Sequence, residues 1–226
     1  MRNLLISTAT ILVVTAASSV SAQGMGQSLY GSAFLGYGVG DTIAEVTDGT
    51  DFVEYTFDGE GGALFGITVG ATVAPNIRAE AEISYIGQSI ETIGFNSAAG
   101  DSSEIDVSDE DLVVSNTYYM ANIWYDIAGV APGAGITPYV GGGLGLATIR
   151  VETNAPDDDG FDDGTGFAFQ VGAGVQIPVG SGAVDLGYRY KSAADVTIVE
   201  GFSGGPFDLV ADSAVNTVQA AYVLKF

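Results

Sequence analysis

The sequence predicts an all-β fold: a closed, eight-stranded, antiparallel up-and-down transmembrane β-barrel. Three observations predict it. Apolar and polar residues alternate in eight segments, the period at which strand side chains change face. The breaks between these segments alternate between short and long. The final residues, Val218 to Phe226, alternate too and end on an aromatic ring.

Strands are expected near 29–40, 61–74, 77–87, 113–127, 136–150, 166–178, 183–192 and 214–226. The alternation is clearest in "RAEAEISY" (Arg78 to Tyr85), "FAFQVGAGVQI" (Phe167 to Ile177), "DLGYRYK" (Asp185 to Lys191) and the terminal segment. Short breaks at Ala74–Asn76, Gly129–Gly135 and Val179–Gly182 carry Pro or Gly turn chemistry. Long breaks fall at 41–60, 88–112, 151–165 and 193–213. Short and long connections therefore lie at opposite ends, with both termini at the short-turn end. An open antiparallel sheet of this size would leave two sticky edges, and closure into a barrel removes them.

The two faces of each strand decide the solvent. One face carries Phe167, Phe169, Val171, Val175 and Ile177, or Ala79, Ala81, Ile83 and Tyr85. The other carries Ala168, Gln170, Gly172, Gly174 and Gln176, or Arg78, Glu80, Glu82 and Ser84. A soluble barrel would bury the apolar set and clothe its exterior in Lys and Glu, yet the chain has only 6 Lys and Arg. A membrane barrel turns the apolar set toward lipid and packs small polar residues inside. Tyr37, Tyr85, Tyr119, Tyr125, Tyr139, Tyr188, Tyr190 and Phe226 lie near strand ends and are expected to form interfacial girdles. Trp124 is expected to point inward with Asn122 and Asp126, its N–H satisfied.

Met1 to Ala22 reads as a secretory signal: Arg2, a mostly apolar run from Leu4 to Ala17, then the small-x-small pattern Val20, Ser21, Ala22. The barrel domain is expected over 23–226. The chain has 0 Cys and 0 His, and a formal net charge of −22. Without Cys there is no disulfide framework. The acidic excess excludes nucleic acid as a partner. The acids are segregated: only Glu80, Glu82, Asp126 and Asp185 fall inside the expected strands.

The opening "SLYGSAFLGYGVG", the Gly-rich "PYVGGGLGLA" strand and the terminal "AAYVLKF", together with the signal segment, resemble the small eight-stranded outer-membrane proteins of Gram-negative bacteria. The resemblance is to the group of OmpA-like transmembrane domains and opacity porins. It implies insertion by the barrel insertion machinery, which in that family reads the C-terminal strand; Tyr222, Leu224 and Phe226 occupy the matching positions. It implies outer-membrane lipid and lipopolysaccharide as surroundings, and leaves open an extracellular ligand. The peptidoglycan-binding domain that follows the barrel in full-length OmpA proteins has no counterpart after Phe226, so cell-wall tethering is not expected.

Enzyme chemistry is not expected. With 0 His and 0 Cys, triads built on an imidazole base and thiolate nucleophiles are excluded. No cofactor is expected. The acid-dense "NAPDDDGFDDGTG" (Asn154 to Gly166) lacks the ligand spacing and closing Glu of an EF-hand loop, and is read as a solvated loop. "VGGGLG" (Val140 to Gly145) is read as close backbone packing rather than a phosphate loop. The expected role is structural or surface-interacting, with long acidic loops outside the cell; a narrow porin-like channel is the alternative.

The interior charges favour the first role. Arg78, Glu80 and Glu82 share the inward face of one strand, and Asp185, Arg189 and Lys191 that of another. Counting residues up from each short turn predicts Glu80 and Glu82 paired with Arg189 and Lys191, and Arg78 paired lower down with Asp185. Unpaired charges in so narrow a lumen would be costly.

Overall fold

The computed structural model describes residues 28–47, 52–97, 100–108, 112–129, 135–152, 163–202 and 207–226. The expected signal segment lies outside the described residues, as does most of the acidic stretch 154–166. The described residues form nine strands: β1 (Leu29–Thr47), β2 (Phe52–Ala74), β3 (Ile77–Ser97), β4 (Ser102–Asp106), β5 (Val113–Asp126), β6 (Thr137–Glu152), β7 (Gly164–Val179), β8 (Gly182–Phe202) and β9 (Phe207–Lys225). Eight form the ring β2-β1-β9-β8-β7-β6-β5-β3, closed by the β2–β3 pairing, and every neighbouring pair is antiparallel. The extra strand, β4, pairs with β3 outside the ring.

The short turns are where the sequence puts them. Ala74 and Ile77 face each other across Pro75–Asn76, and Asn76 takes the positive φ of 65° that the third position of a type II turn requires. Gly180 supplies the same left-handed backbone (φ 60°) between β7 and β8. Closure is made by the chain's last strand. β9 pairs with β1 from Tyr30↔Lys225 to Val46↔Leu209, and the Phe226 N–H donates to the Leu29 carbonyl at 2.8 Å. The terminal strand does not fray because its backbone is bonded along both edges.

The long connections differ from expectation. Strand pairing continues well beyond the expected ends, through Asp41–Thr47, Phe52–Glu60, Gln88–Ser97 and Ala193–Phe202. Acidic residues suggest breaks, but a sheet that rises into water tolerates carboxylates on its exposed face.

The outer wall is apolar. Leu35, Val69, Ile123, Leu144, Phe167 and Val218 are all more than half exposed, the inverse of a soluble barrel and the arrangement a lipid-facing wall needs. Tyr37, Tyr119, Tyr125, Tyr188 and Phe226 are on this wall. Tyr139 is not: it is buried inside the lumen. The interior also departs from the expectation of a wholly polar filling. Toward the long connections Leu64, Ile86, Val114, Ile149, Val196 and Val215 belong to a buried apolar cluster. It is interleaved with buried Thr42, Gln88, Asn116 and Ser213, of which Thr42 and Asn116 bond Ser213, so a mainly apolar core sits above the charged layers.

Candidate functional site

Among the described residues, buried charges converge in the lumen, and the strands' alternation puts them there. Even-numbered residues of β3 and β5 point inward, as do odd-numbered residues of β6 and of the lower part of β8. On β6 the inward positions beside β5 are Gly141, Gly143 and Gly145, in register with Trp124, Asn122 and Met120. A Cβ at any of the three would collide with the facing side chain or its backbone. The glycines of "VGGGLG" thus give room to large neighbours, as the packing reading expects.

Three charged layers follow from the short-turn end. In the lowest, Arg78 donates from Nε to both Asp126 carboxylate oxygens at 2.9 and 3.1 Å, and from Nη1 to Glu80 at 3.1 Å. Tyr30 Oη and Trp124 Nε1 each donate to Glu80 at 2.7 Å. A cavity of about 120 Å³ opens here among Ser28, Tyr30, Thr72, Asp126 and Lys225, polar and roomy enough for water. In the middle layer the Arg189 guanidinium lies 4.1 Å from the Trp124 ring centroid, a cation–π contact. Its Nη2 donates to Tyr139 Oη at 2.8 Å, and Tyr139 in turn donates to Asp185 at 2.7 Å. In the top layer Lys191, fully buried, pairs with Glu82 at 2.5 Å. Ser84, Asn122 and Gln170 also donate to Glu82, at 2.8, 3.0 and 2.9 Å.

Each carboxylate is therefore matched by donors, as a buried charge requires. Glu82–Lys191 forms as expected. The other pairings do not. Glu80 is held by Arg78, Tyr30 and Trp124, and Arg78 turns to Asp126 rather than Asp185. Arg189 makes no direct ion pair among the described residues; Tyr139 stands between it and Asp185. The expectation of level pairing failed because barrel strands tilt, so residues equally far from their turns are not at one height. It also left out Tyr139 and Tyr30. A signal for Tyr139 was present: it is in phase with inward Gly141, Gly143 and Gly145, and out of phase with lipid-facing Val140 and Leu144. Trp124 is 1% exposed with its N–H bonded, as expected.

A second concentration of charge lies at the long-connection end. Asp41 faces Asp58 and Glu45 faces Glu54 across β1 and β2. Burial, then the Asp58 charge, push the Asp41 carboxyl above its ordinary value. A hydrogen bond shared with Glu60 pushes Glu91 up. Two hydrogen bonds from Ser108 hold Asp106 below the usual range.

A family profile for the outer membrane protein beta-barrel domain matches residues 9–226. The chain belongs to that family. As an outer-membrane β-barrel it resides in the bacterial outer membrane, and its apolar wall is the lipid-facing surface. Solved structures of outer-membrane proteins are similar to it at low identity. The neisserial surface protein NspA is 18% identical, with a TM-score of 0.49 over 89% of this chain and 100% of its own. OprG of Pseudomonas aeruginosa is 13% identical, TM-score 0.47, over 88% and 95%. Ail, the attachment invasion locus protein of Yersinia pestis, is 14% identical, TM-score 0.41, over 87% and 99%. No curated protein sequence matches the chain.

Proposed function

We propose that this outer-membrane barrel acts by its wall and its surface, not by conduction or catalysis. It is a structural and surface-interacting protein that stands in outer-membrane lipid and lipopolysaccharide and presents its acidic long-connection end outside the cell. The observation that carries this is the filled lumen: three bonded charge layers below and an apolar core above. Ions would have to break buried pairs and then cross a mainly apolar segment. The rival reading, a narrow channel for small solutes, draws support from two small cavities, one at the short-turn end beside Ser28 and Lys225 and one alongside the charged layers among Glu80, Glu82, Asp185 and Arg189.

An enzymatic role is disfavoured on the same grounds. The lumenal carboxylates are saturated by donors, and the chain has neither His nor Cys to act as base or nucleophile. Met1–Ala22 serves as the export signal, and the terminal strand through Phe226 as the element the insertion machinery reads.

The absence of native Cys allows a direct test of orientation. Ile105→Cys on β4 should react with a membrane-impermeant maleimide on intact cells. Ser181→Cys in the β7–β8 turn should react only after the outer membrane is breached. The opposite pattern would invert the orientation and remove the surface role.

A further inference from the structure

β4 is an edge strand, paired on one side only among the described residues. β4 pairs with β3 from Thr92↔Asp106 to Asn96↔Ser102. The Ser97 N–H donates to the Asp101 carbonyl and the Val107 N–H to the Glu91 carbonyl. Hydrogen-bonded pairs alternate with non-bonded ones in an antiparallel ladder, so Ser103 and Ile105 spend their backbone groups on β3. Ser102, Glu104 and Asp106 turn theirs the other way. Among the described residues nothing pairs with that outer edge, and all five β4 residues are exposed.

The sheet that carries this edge has two unlike faces. On one face the cross-strand rows are Asp58–Thr92–Asp106, Thr56–Gly94–Glu104 and Glu54–Asn96–Ser102. On the other they are Phe57–Ile93–Ile105 and Tyr55–Phe95–Ser103. Tyr55, Phe57 and Ile93 pack against the upper core, whereas Ile105 stays 60% exposed with no strand beyond it. The charge around this edge has one sign. Of the chain's 6 Lys and Arg, Arg78, Arg189 and Lys191 are buried in the lumen. Lys225 is at the short-turn end and Arg2 in the N-terminal segment, while Arg150 lies beside Asp163 at 3.2 Å.

We propose that the open edge of β4 binds an extended basic polypeptide segment by strand addition. This rests on the surface-interaction reading and names the partner class. Backbone bonds to Ser102, Glu104 and Asp106 supply register, and alternate side chains supply selectivity. Lys or Arg on one face meets Asp106 and Glu104; an apolar side chain on the other extends the Phe57–Ile93–Ile105 row. A second copy of this chain is a poor occupant, because two β4 edges would bring Glu104 and Asp106 against their own kind.

The probe is a fluorescent peptide of about nine residues, an ordinary strand with short flanks, alternating lysine with valine. Binding is measured by anisotropy to the full protein in zwitterionic nanodiscs. Two N-methylated peptides of equal charge block either the amides facing β4 or those facing away. The first should lose about tenfold or more in affinity, roughly one or two backbone hydrogen bonds, and the second should bind as the parent does. Glu104→Pro removes an outward N–H and no bond to β3, so it should abolish binding while the barrel keeps its circular dichroism. Glu104→Gln should weaken binding only about two- to threefold, as for an exposed charge. Equal binding of both N-methylated peptides would reduce the effect to general charge attraction and overturn the proposal. So would equal binding of a glutamate-for-lysine peptide, or concentration-dependent dimers that compete with the peptide. A pore found by conductance would count against the plugged-barrel reading without touching this outcome.

Discussion

Among the described residues, Lys191 and Glu82 are the most deeply buried ion pair. Removing one partner leaves the other charge stranded where water does not reach. Lys191→Met should therefore destabilise the folded barrel by about 3–5 kcal/mol, read by urea unfolding in lipid vesicles. The double variant with Glu82→Leu should recover most of that loss, because it removes both charges together; a double variant as unstable as the sum of the singles would deny the pairing. The glycines beside this layer make a separate demand. Gly143→Ala places a methyl against the Asn122 carboxamide and the Ala121 carbonyl, and should cost about 1–3 kcal/mol as overpacking, measured in the same assay. At this scale the sequence was legible where parity alone decides, as for Trp124, Glu82 and Lys191. It was not legible where a partner depends on strand tilt, which is why Asp126 holds the place beside Arg78 assigned to Asp185, and Tyr139 stands beside Arg189 where a glutamate was expected.

The strands teach a related lesson. Turn chemistry at Pro75–Asn76 and Gly180 located the short-turn ends to within a residue or two. The opposite ends were misplaced because charge was read as a break. Alternation in "DTIAEVT" and "FVEYTFDGE" continues, and these segments pair in water above the wall. Their cross-strand carboxylates have a consequence for pH. Asp41 and Glu91 have folded values raised above the ordinary range, so the folded sheet binds protons more tightly than the unfolded chain. Their contribution is fully present below the ordinary carboxylate pKa and is lost as pH rises through the raised values. Amides in Glu54–Glu60 and Glu91–Phe95 should exchange more slowly near pH 4 than near pH 7 after correction for intrinsic rates. Asp106, held low, acts in the opposite sense, losing its contribution as pH falls through its lowered value. Protection that weakens on acidification across the whole β1–β2–β3 extension would contradict the assignment. At the other end of the molecule, Phe226→Asp should lower the outer-membrane yield by placing a charge at the lipid boundary where an aromatic ring anchors; normal yield, measured by membrane fractionation, would count against that role.

The whole molecule combines an apolar wall, a closed hydrogen-bond ring and a lumen occupied by side chains with two small cavities among them. Eight strands leave an interior only about as wide as the side chains that fill it. Here the filling is of two kinds: a charged, hydrogen-bonded network in which Arg78 Nη2 and Arg189 Nε lack hydrogen-bond partners, then a mainly apolar core that an ion would enter only by shedding much of its water. The compartment and the barrel were legible in the sequence because alternation, connection length and the aromatic terminus point the same way. The apolar half of the filling was not, since inward Ile86, Val114 and Ile149 lie in segments whose polar neighbours suggested an interior packed with small polar side chains. The proposed role rests on a plugged barrel. Planar-bilayer recording of the purified, refolded protein is the most direct test of the plug. A plugged lumen gives no steady open level on the nanosiemens scale. A stable conductance of that size, abolished when the protein is denatured by heat, would contradict it.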